Sequence, residues 1–395
     1  MKINKKLLWI YILSSAVYFT QGIEGLPGLS FFFYLKEKLH LDASFIMYLG
    51  SISTLAWLIK PIWGYLCDNH LTKKKWIIIS LLGSILISFY FGLISYLPIF
   101  MILILSMLGN WNAAIRDVAV DGIMCVEGKE VNECGKIQAI QWTSITIAGI
   151  IVGLIGGYIA DHYTYKVGYL CLIPIYLIIL GIVLRYRTTV SKNRTSESLL
   201  KNITSYKELF TDKKFLYICL FIFLYNFNPS FGTPLMFIER DVFKWSGTFM
   251  GILGAIISSI SILGAIIYFK IGQKINIQKC LMYSVFIGAL TTLCYLYFTP
   301  VSAVVYGIIF SIVGMFIFLN VMSWMAKSTI SGKEATSFAL LCSVNNISGT
   351  LSVLSGAYLY PKIGLQSLII ISAFTSFSCL MFIKKVGFNE KKQKC

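Results

Sequence analysis

The chain has 395 residues, of which 57% are hydrophobic and only 13% charged, with a mean hydropathy of +0.77. That balance excludes an ordinary soluble domain and identifies an integral membrane protein. The formal net charge of +17 would suit a nucleic-acid binder, but the basic residues lie between apolar runs, and no basic stripe interleaved with aromatics calls for nucleic acid.

Nearly uncharged stretches recur along the chain, each long enough to cross about 30 Å of hydrocarbon as a helix. Twelve spans are predicted, at about 7–34, 43–66, 76–95, 98–123, 137–160, 167–185, 214–238, 247–269, 280–298, 301–326, 337–360 and 364–383. The fold class is therefore an all-α membrane protein. Lys and Arg concentrate in "MKINKK", "TKKK", the segment 185–214 and the tail "KKVGFNEKKQKC", which puts both termini on the cytoplasmic side of a plasma (inner) membrane. The first span follows "MKINKK" without a small-residue cleavage pattern and reads as a retained helix.

The first span contains "YFTQGIEGLPGLSFF", where Gly25, Pro27 and Gly28 interrupt a helix beside the polar residues Gln21 and Glu24. The second ends "WLIKPIWGYLCDNHLTKKK", with Trp57, Lys60 and Gly64 at helical spacing. Lys60 either snorkels to the interface or holds an anionic group. Pro61 kinks the helix or leaves an extra carbonyl acceptor. Asp68, ahead of three lysines, is expected to gate the path or brace the loop.

The fourth span reads "GNWNAAIRDVAVDG". An intramembrane charge costs at least about 2.5–3.5 kcal/mol, so Arg116, Asp117 and Asp121 must face protein or water. Asp117 and Asp121 share a face one turn apart, while Arg116 is rotated from Asp117 by about 100°. The aspartates repel each other unless a cation, a proton or a basic partner intervenes, and Lys60 and Arg116 are the available partners. Two readings stay open: a structural salt-bridge latch, or contact with substrate or coupling ion.

"RYRTTVSKNRTSESLLKNITSYKELFTDKK" then divides the spans six and six. The expected organisation is an N-terminal bundle over 1–185, a cytoplasmic linker over 186–213 and a C-terminal bundle over 214–395. The sequons at Asn193 and Asn202 fall in the linker, so glycosylation there is not expected. The halves repeat weakly: Phe45 and Gly50 match Phe249 and Gly254, and Ser144 and Gly157 match Ser343 and Gly356.

The seventh span, "YNFNPSFGTPLMF", is interrupted by Pro229, Gly232 and Pro234 at the place corresponding to the break in the first. Paired breaks in matching helices point to a transport site, to which Asn226 and Asn228 add polar contacts. Tyr18, Phe31, Tyr225, Phe227 and Phe231 either pack or stack on a flat ring. The third, sixth, ninth and twelfth spans carry no charge between their ends and should face lipid, leaving Glu24, Lys60, the Arg116 group, "YNFNPS" and Asn320 to line a shared interior. The ten cysteines are scattered without a CxxC pair, and His40, His70 and His162 stand singly near span ends. No metal site, cofactor, catalytic nucleophile or enzyme activity is expected.

The segments "YFTQG", "FFFYLKEKLHLD", "LIKPIWGYLCD", "RDVAVDGIMCVEG", "YNFNPSFGTPLMFI" and "GKEATSFALLCSVNNISG" resemble, in order, those of the folate-biopterin transporter family of the major facilitator superfamily. Lys60, Gly64 and Asp68 match its motif in the second span, Asp117 and Asp121 that in the fourth, and Asn226 and Pro229 that in the seventh; Glu24 and Pro27 match none. The resemblance implies twelve transmembrane helices in two pseudo-symmetric six-helix bundles, alternating access, and proton-coupled uptake of a small pterin-like organic anion. "DVAVDG" is also similar to the muropeptide and acetyl-CoA permease branch, which "KPIWG" and "NPSFG" fit less well.

The expected protein is a monomeric secondary transporter whose solute partner is a small organic molecule. Lys60, Arg116, Gln21, Asn226 and Asn228 are its candidate substrate contacts, and Glu24, Asp68, Asp117 and Asp121 its candidates for proton coupling or gating. The alternatives are a permease for a muropeptide or nucleoside-like compound, and a membrane receptor without transport.

Overall fold

The computed structural model describes residues 5–94, 97–124, 134–187, 211, 213–271, 276–328 and 334–383. Nearly all of the expected linker, with Asn193 and Asn202, lies outside the described residues, as do the side chain of Asp68 and the basic tail.

Among the described residues the regular structure is entirely helical, and helix occupies each of the twelve expected spans. The first is α1 (Lys5–Ile23) and α2 (Gly28–Phe33), the latter continued by a π turn over Tyr34–Lys38. The second is α3 (Ala43–Ser53), a 3₁₀ turn over Thr54–Trp57 and α4 (Lys60–Asn69). Then come α5 (Lys73–Leu93), α6 (Ile99–Ile123), α7 (Cys134–Ile151) running through a π turn into α8 (Gly157–His162), and α9 (Tyr165–Arg185). The seventh span is α10 (Lys213–Asn226) and α11 (Gly232–Asp241), followed by α12 (Gly247–Ile271), α13 (Ile277–Cys294) and α14 (Pro300–Lys327). The last two spans run together as α15 (Glu334–Ser378), ending in α16 (Leu380–Ile383). They are separated within α15 by Gly364, whose φ of 74° is a left-handed value that glycine adopts without a Cβ clash.

The breaks have local causes. Pro27 cannot donate to the α1 ladder, and Pro61 stands in the first turn of α4, where a missing N–H costs nothing. Between α10 and α11, Pro229 removes another donor.

The described residues form two compact units. One lies within Met1–Leu41, Ile52–Ser196 and Trp245–Ser259, the other within Asp42–Ser51, Glu197–Lys244 and Ile260–Cys395. In the first, α1 packs on α7, and α5 on both α6 and α9, around Leu13, Val17, Ile77, Leu81, Val120 and Leu172. The start of α12 joins this unit because its Gly247 and Gly251 lie so close to Gly153 and Gly157 that a Cβ on Gly153, Gly157 or Gly251 would collide with backbone. In the second, α10 packs on α15, and α13 on α14 and α15, around Phe215, Phe221, Ile222, Leu281 and Trp324. The same pairings of spans thus recur in both units. A local detail recurs with them: Phe31, just past the first break, meets Phe91 of the third span edge-on at 5.6 Å, and Phe231, at the seventh-span break, meets Tyr295 beside the ninth at 5.5 Å.

Polarity is inverted relative to a soluble protein. On α5, Ile79, Leu82, Leu86, Phe89 and Leu93 are exposed, whereas Ser80, Ser84 and Ser88 are buried. Exposed apolar residues over a whole helix face mark a lipid-contacting surface, and α9 repeats the pattern with Leu170, Leu177, Ile178 and Leu184. Among the described residues eight helical stretches, some of them joining successive helices, are long and apolar enough to cross a membrane, so the protein is a multi-pass membrane protein.

Candidate functional site

The hundred-degree rotation between successive residues of α6 sends its charges to different neighbours. Asp117, buried, lies between two donors: Lys60 Nζ reaches its Oδ2 at 2.6 Å and Gln21 Nε2 its Oδ1 at 2.7 Å. One turn on, Asp121 Oδ1 accepts from Tyr18 OH at 2.7 Å and from Gln141 Nε2 at 3.3 Å. This first cluster joins α1, α4, α6 and α7. Lys60 is its accessible member, with its side chain 25% exposed against 5% for Asp117.

Arg116 points elsewhere. It is fully buried, paired with Glu24 through Nη2, and donates from Nη1 to Ser84 Oγ at 3.2 Å. Tyr176 OH donates to the same Glu24 oxygen at 2.9 Å, and its ring lies 5.9 Å from the guanidinium carbon. This second cluster ties the break after α1 to α5, α6 and α9, with its formal charges balanced. The first cluster is not balanced: Lys60 neutralises Asp117, while Asp121 has two neutral donors and, among the described residues, no cation within ion-pair distance.

The break in the second span sets where Lys60 stands. Trp63 Nε1 donates to Ala56 O at 2.8 Å, satisfying a carbonyl in the stretch where the helix is interrupted. Trp57 Nε1 bonds Asn110 Oδ1 of α6 at 2.9 Å, and the Lys60 ammonium lies 4.7 Å from the Trp57 ring centre. Trp63→Phe keeps an aromatic ring but removes the indole N–H and part of the packed volume, and takes from the buried Ala56 carbonyl its indole donor. It is expected to cost about 1–3 kcal/mol, read as a lowered unfolding midpoint in detergent.

Asn226 and Asn228 belong to the second unit. Asn226 Nδ2 bonds Ile222 O in its own helix at 2.9 Å, and Asn228 Nδ2 reaches Ser376 Oγ at 3.5 Å. The backbone freed by the break is held by serines of α15. Ser352 Oγ donates to Asn226 O at 3.2 Å and accepts from Asn228 N–H at 3.0 Å, and Ser352 O accepts from Ser230 N–H at 2.9 Å. Of the aromatics flanking the breaks, Phe227 stacks on Phe223 and Tyr225 OH bonds Ser284.

The structure thus brings Gln21, Lys60, Asp117 and Asp121 into one cluster and Glu24 with Arg116 into a second. Sequence reasoning missed Ser84, Tyr176 and Gln141. Gln141 carried a usable signal, being an amide within an otherwise apolar stretch, "AIQWTSITIAG". Ser84 and Tyr176 carried none, because both are common inside membrane helices. Among the described residues no group of His, Cys, Asp and Glu could hold a metal ion.

A model described as the BT1 family matches residues 21–387. A folate-biopterin transporter of Synechocystis sp. is 23% identical, over 96% of this chain and 81% of its own length. Folate transporter 1 of Plasmodium falciparum is 22% identical, over 99% of this chain and 82% of its own. Among solved structures, a mutant of nucleoside transporter NupG superposes with a TM-score of 0.75 at 16% identity, covering 98% of this chain and 100% of that one. The D-xylose-proton symporter superposes with a TM-score of 0.74 at 11% identity, covering 99% and 100%. These two likenesses establish the fold, that of the major facilitator transporters.

Proposed function

The chain belongs to the BT1 family, and on that premise we propose that it is a secondary transporter of folate, biopterin or a related pterin-like anion, working by alternating access and coupled to protons. The relatives that match nearly the whole chain are named for folate and biopterin transport, which supports the substrate class. The observation that carries the mechanism is the asymmetry of the two aspartates: among the described residues one is paired with a lysine and the other has only neutral donors.

In this reading the protein is a monomer of the plasma (inner) membrane with both termini cytoplasmic, organised as the halves 1–185 and 214–395 joined by the cytoplasmic linker 186–213. Asp121 is the carboxylate that exchanges the coupling proton. Lys60 is the substrate's anion contact: an incoming carboxylate displaces Asp117 from the ammonium, which is already partly accessible. Gln21 then turns from Asp117 to the substrate, and Asn226 and Asn228 are the candidate substrate contacts of the second unit. Arg116 and Glu24 brace the bundle, the role that the full burial of Arg116 and their mutual pairing support, and Asp68 gates the cytoplasmic end.

The test is uptake of labelled folate by proteoliposomes, with and without an imposed proton gradient and with unlabelled pterins as competitors. Accumulation should be gradient-driven and competed. Asp121→Asn is expected to abolish accumulation while folate exchange at equal pH on both sides persists. A variant that accumulates normally removes Asp121 from the coupling step, and absence of competition by pterins removes the substrate class.

A further inference from the structure

Gln141 is fully buried on α7. Its amide nitrogen donates to Asp121, while its Oε1 is buried and, among the described residues, has no hydrogen-bond partner. Buried acceptors are satisfied in the great majority of cases, so an orphan beside an intramembrane carboxylate calls for a partner that arrives at another stage of the cycle. A carboxamide carries both a donor and an acceptor, and its terminal torsion is roughly two-fold.

We propose that Gln141 is an amide toggle that serves Asp121 in both protonation states. With Asp121 charged, Nε2–H donates to the carboxylate, as in this structure. When a proton binds Asp121, the amide rotates by half a turn and Oε1 accepts the new carboxyl O–H. The step forms one O–H bond from a solvent proton and breaks no covalent bond in the protein. Tyr18 donates to the same carboxylate oxygen as Gln141 and holds the group in register while the amide turns.

The titratable and charged groups that face Asp121 are Asp117 on its own helix, Lys60 on α4 and Tyr18 on α1; α7 presents the neutral Gln141. Gln141 is a positioning residue, acting through Asp121 on the proton and not on the solute. The inference rests on the reading of Asp121 as the proton-exchanging carboxylate.

Full-length wild type, Gln141→Leu and Gln141→Glu would be reconstituted and assayed for gradient-driven folate accumulation and for exchange at equal pH. Wild type is the control for the underlying reading: if it shows no proton-driven accumulation, the coupling assignment fails before the toggle is reached. With wild type coupled, Gln141→Leu should accumulate about tenfold less, the equivalent of one lost hydrogen bond, and keep its exchange rate. Gln141→Glu, which in its protonated form presents the same donor and acceptor as the amide, should recover accumulation only on the acid side of the wild-type pH profile. Accumulation by Gln141→Leu at the wild-type level overturns the toggle, and so does parallel loss of exchange and accumulation from folded protein. Should Gln141→Leu fail to fold, the pH profile of Gln141→Glu decides, and an unshifted profile overturns the proposal.

Discussion

Arg116→Met alone is expected to leave little folded protein, and adding Glu24→Gln to recover much of it. Arg116 is fully buried, and Glu24 beside it is the carboxylate that pairs with it. Removing the guanidinium leaves the half-buried Glu24 carboxylate with Tyr176 as its donor and empties a fully buried site; breaking a buried pair from one side costs about 3–5 kcal/mol, and the partial exposure of Glu24 puts this one toward the lower end. Neutralising Glu24 as well removes the stranded charge, and replacing both members of a buried pair is often close to neutral. Tyr176 can still donate to the side-chain amide carbonyl that Glu24→Gln introduces, so the double variant loses the charges but keeps one hydrogen bond. The measurement is the unfolding midpoint in detergent for both singles and the double, analysed as a mutant cycle. If the double is no more stable than Arg116→Met, the pair is not the brace. Uptake by the folded double then separates the two roles open for Arg116: a brace leaves the Michaelis constant for folate near wild type, whereas a substrate contact raises it.

That distinction marks where sequence reasoning stops. The twelve spans were legible because each must present about twenty apolar residues to lipid, and composition alone reveals such runs. The breaks were legible because proline and glycine act through the local backbone, as at Pro27, Pro61 and Pro229. The separation of Arg116 from Asp117 by a helical rotation was legible too, but not which helix each would meet. Glu24 and Ser84 lie 92 and 32 positions from Arg116 in the chain, and only the packing of α1, α5 and α6 brings them together. From sequence, Lys60 and Arg116 look like interchangeable cations; in the structure one is partly accessible over Asp117 and the other is sealed on Glu24. The matched glycines divide in the same way. Gly50 and Gly254 have nothing within reach of a Cβ, whereas Gly356 meets the backbone of Ser230.

Gly356 carries the second large effect. A Cβ placed there collides with the carbonyl, nitrogen and carbonyl carbon of Ser230, and none of these is the movable end of a side chain. The segment cannot easily retreat, since Ser352 holds it by bonds to Asn226 O, Asn228 N–H and Ser230 N–H. Gly356→Val must therefore push the broken seventh span off α15 or distort α15 itself. Overpacking of a well-packed core costs about 1–3 kcal/mol, and a backbone obstacle belongs at the upper end or beyond. Gly254→Ala should be neutral to stabilising by up to about 1 kcal/mol, because it gains helix propensity and meets nothing. Thermal unfolding of the two variants side by side checks both. Should Gly356→Val melt with wild type, the close approach of the broken helix to α15 is not needed for stability; should it melt early while Gly254→Ala does not, the glycine is there to let the break sit against its serine brace. The same contact fixes Asn226 and Asn228, the candidate substrate contacts of the second unit, so a variant that folds with the segment displaced is expected to lose substrate affinity before it loses the proton coupling proposed for Asp121.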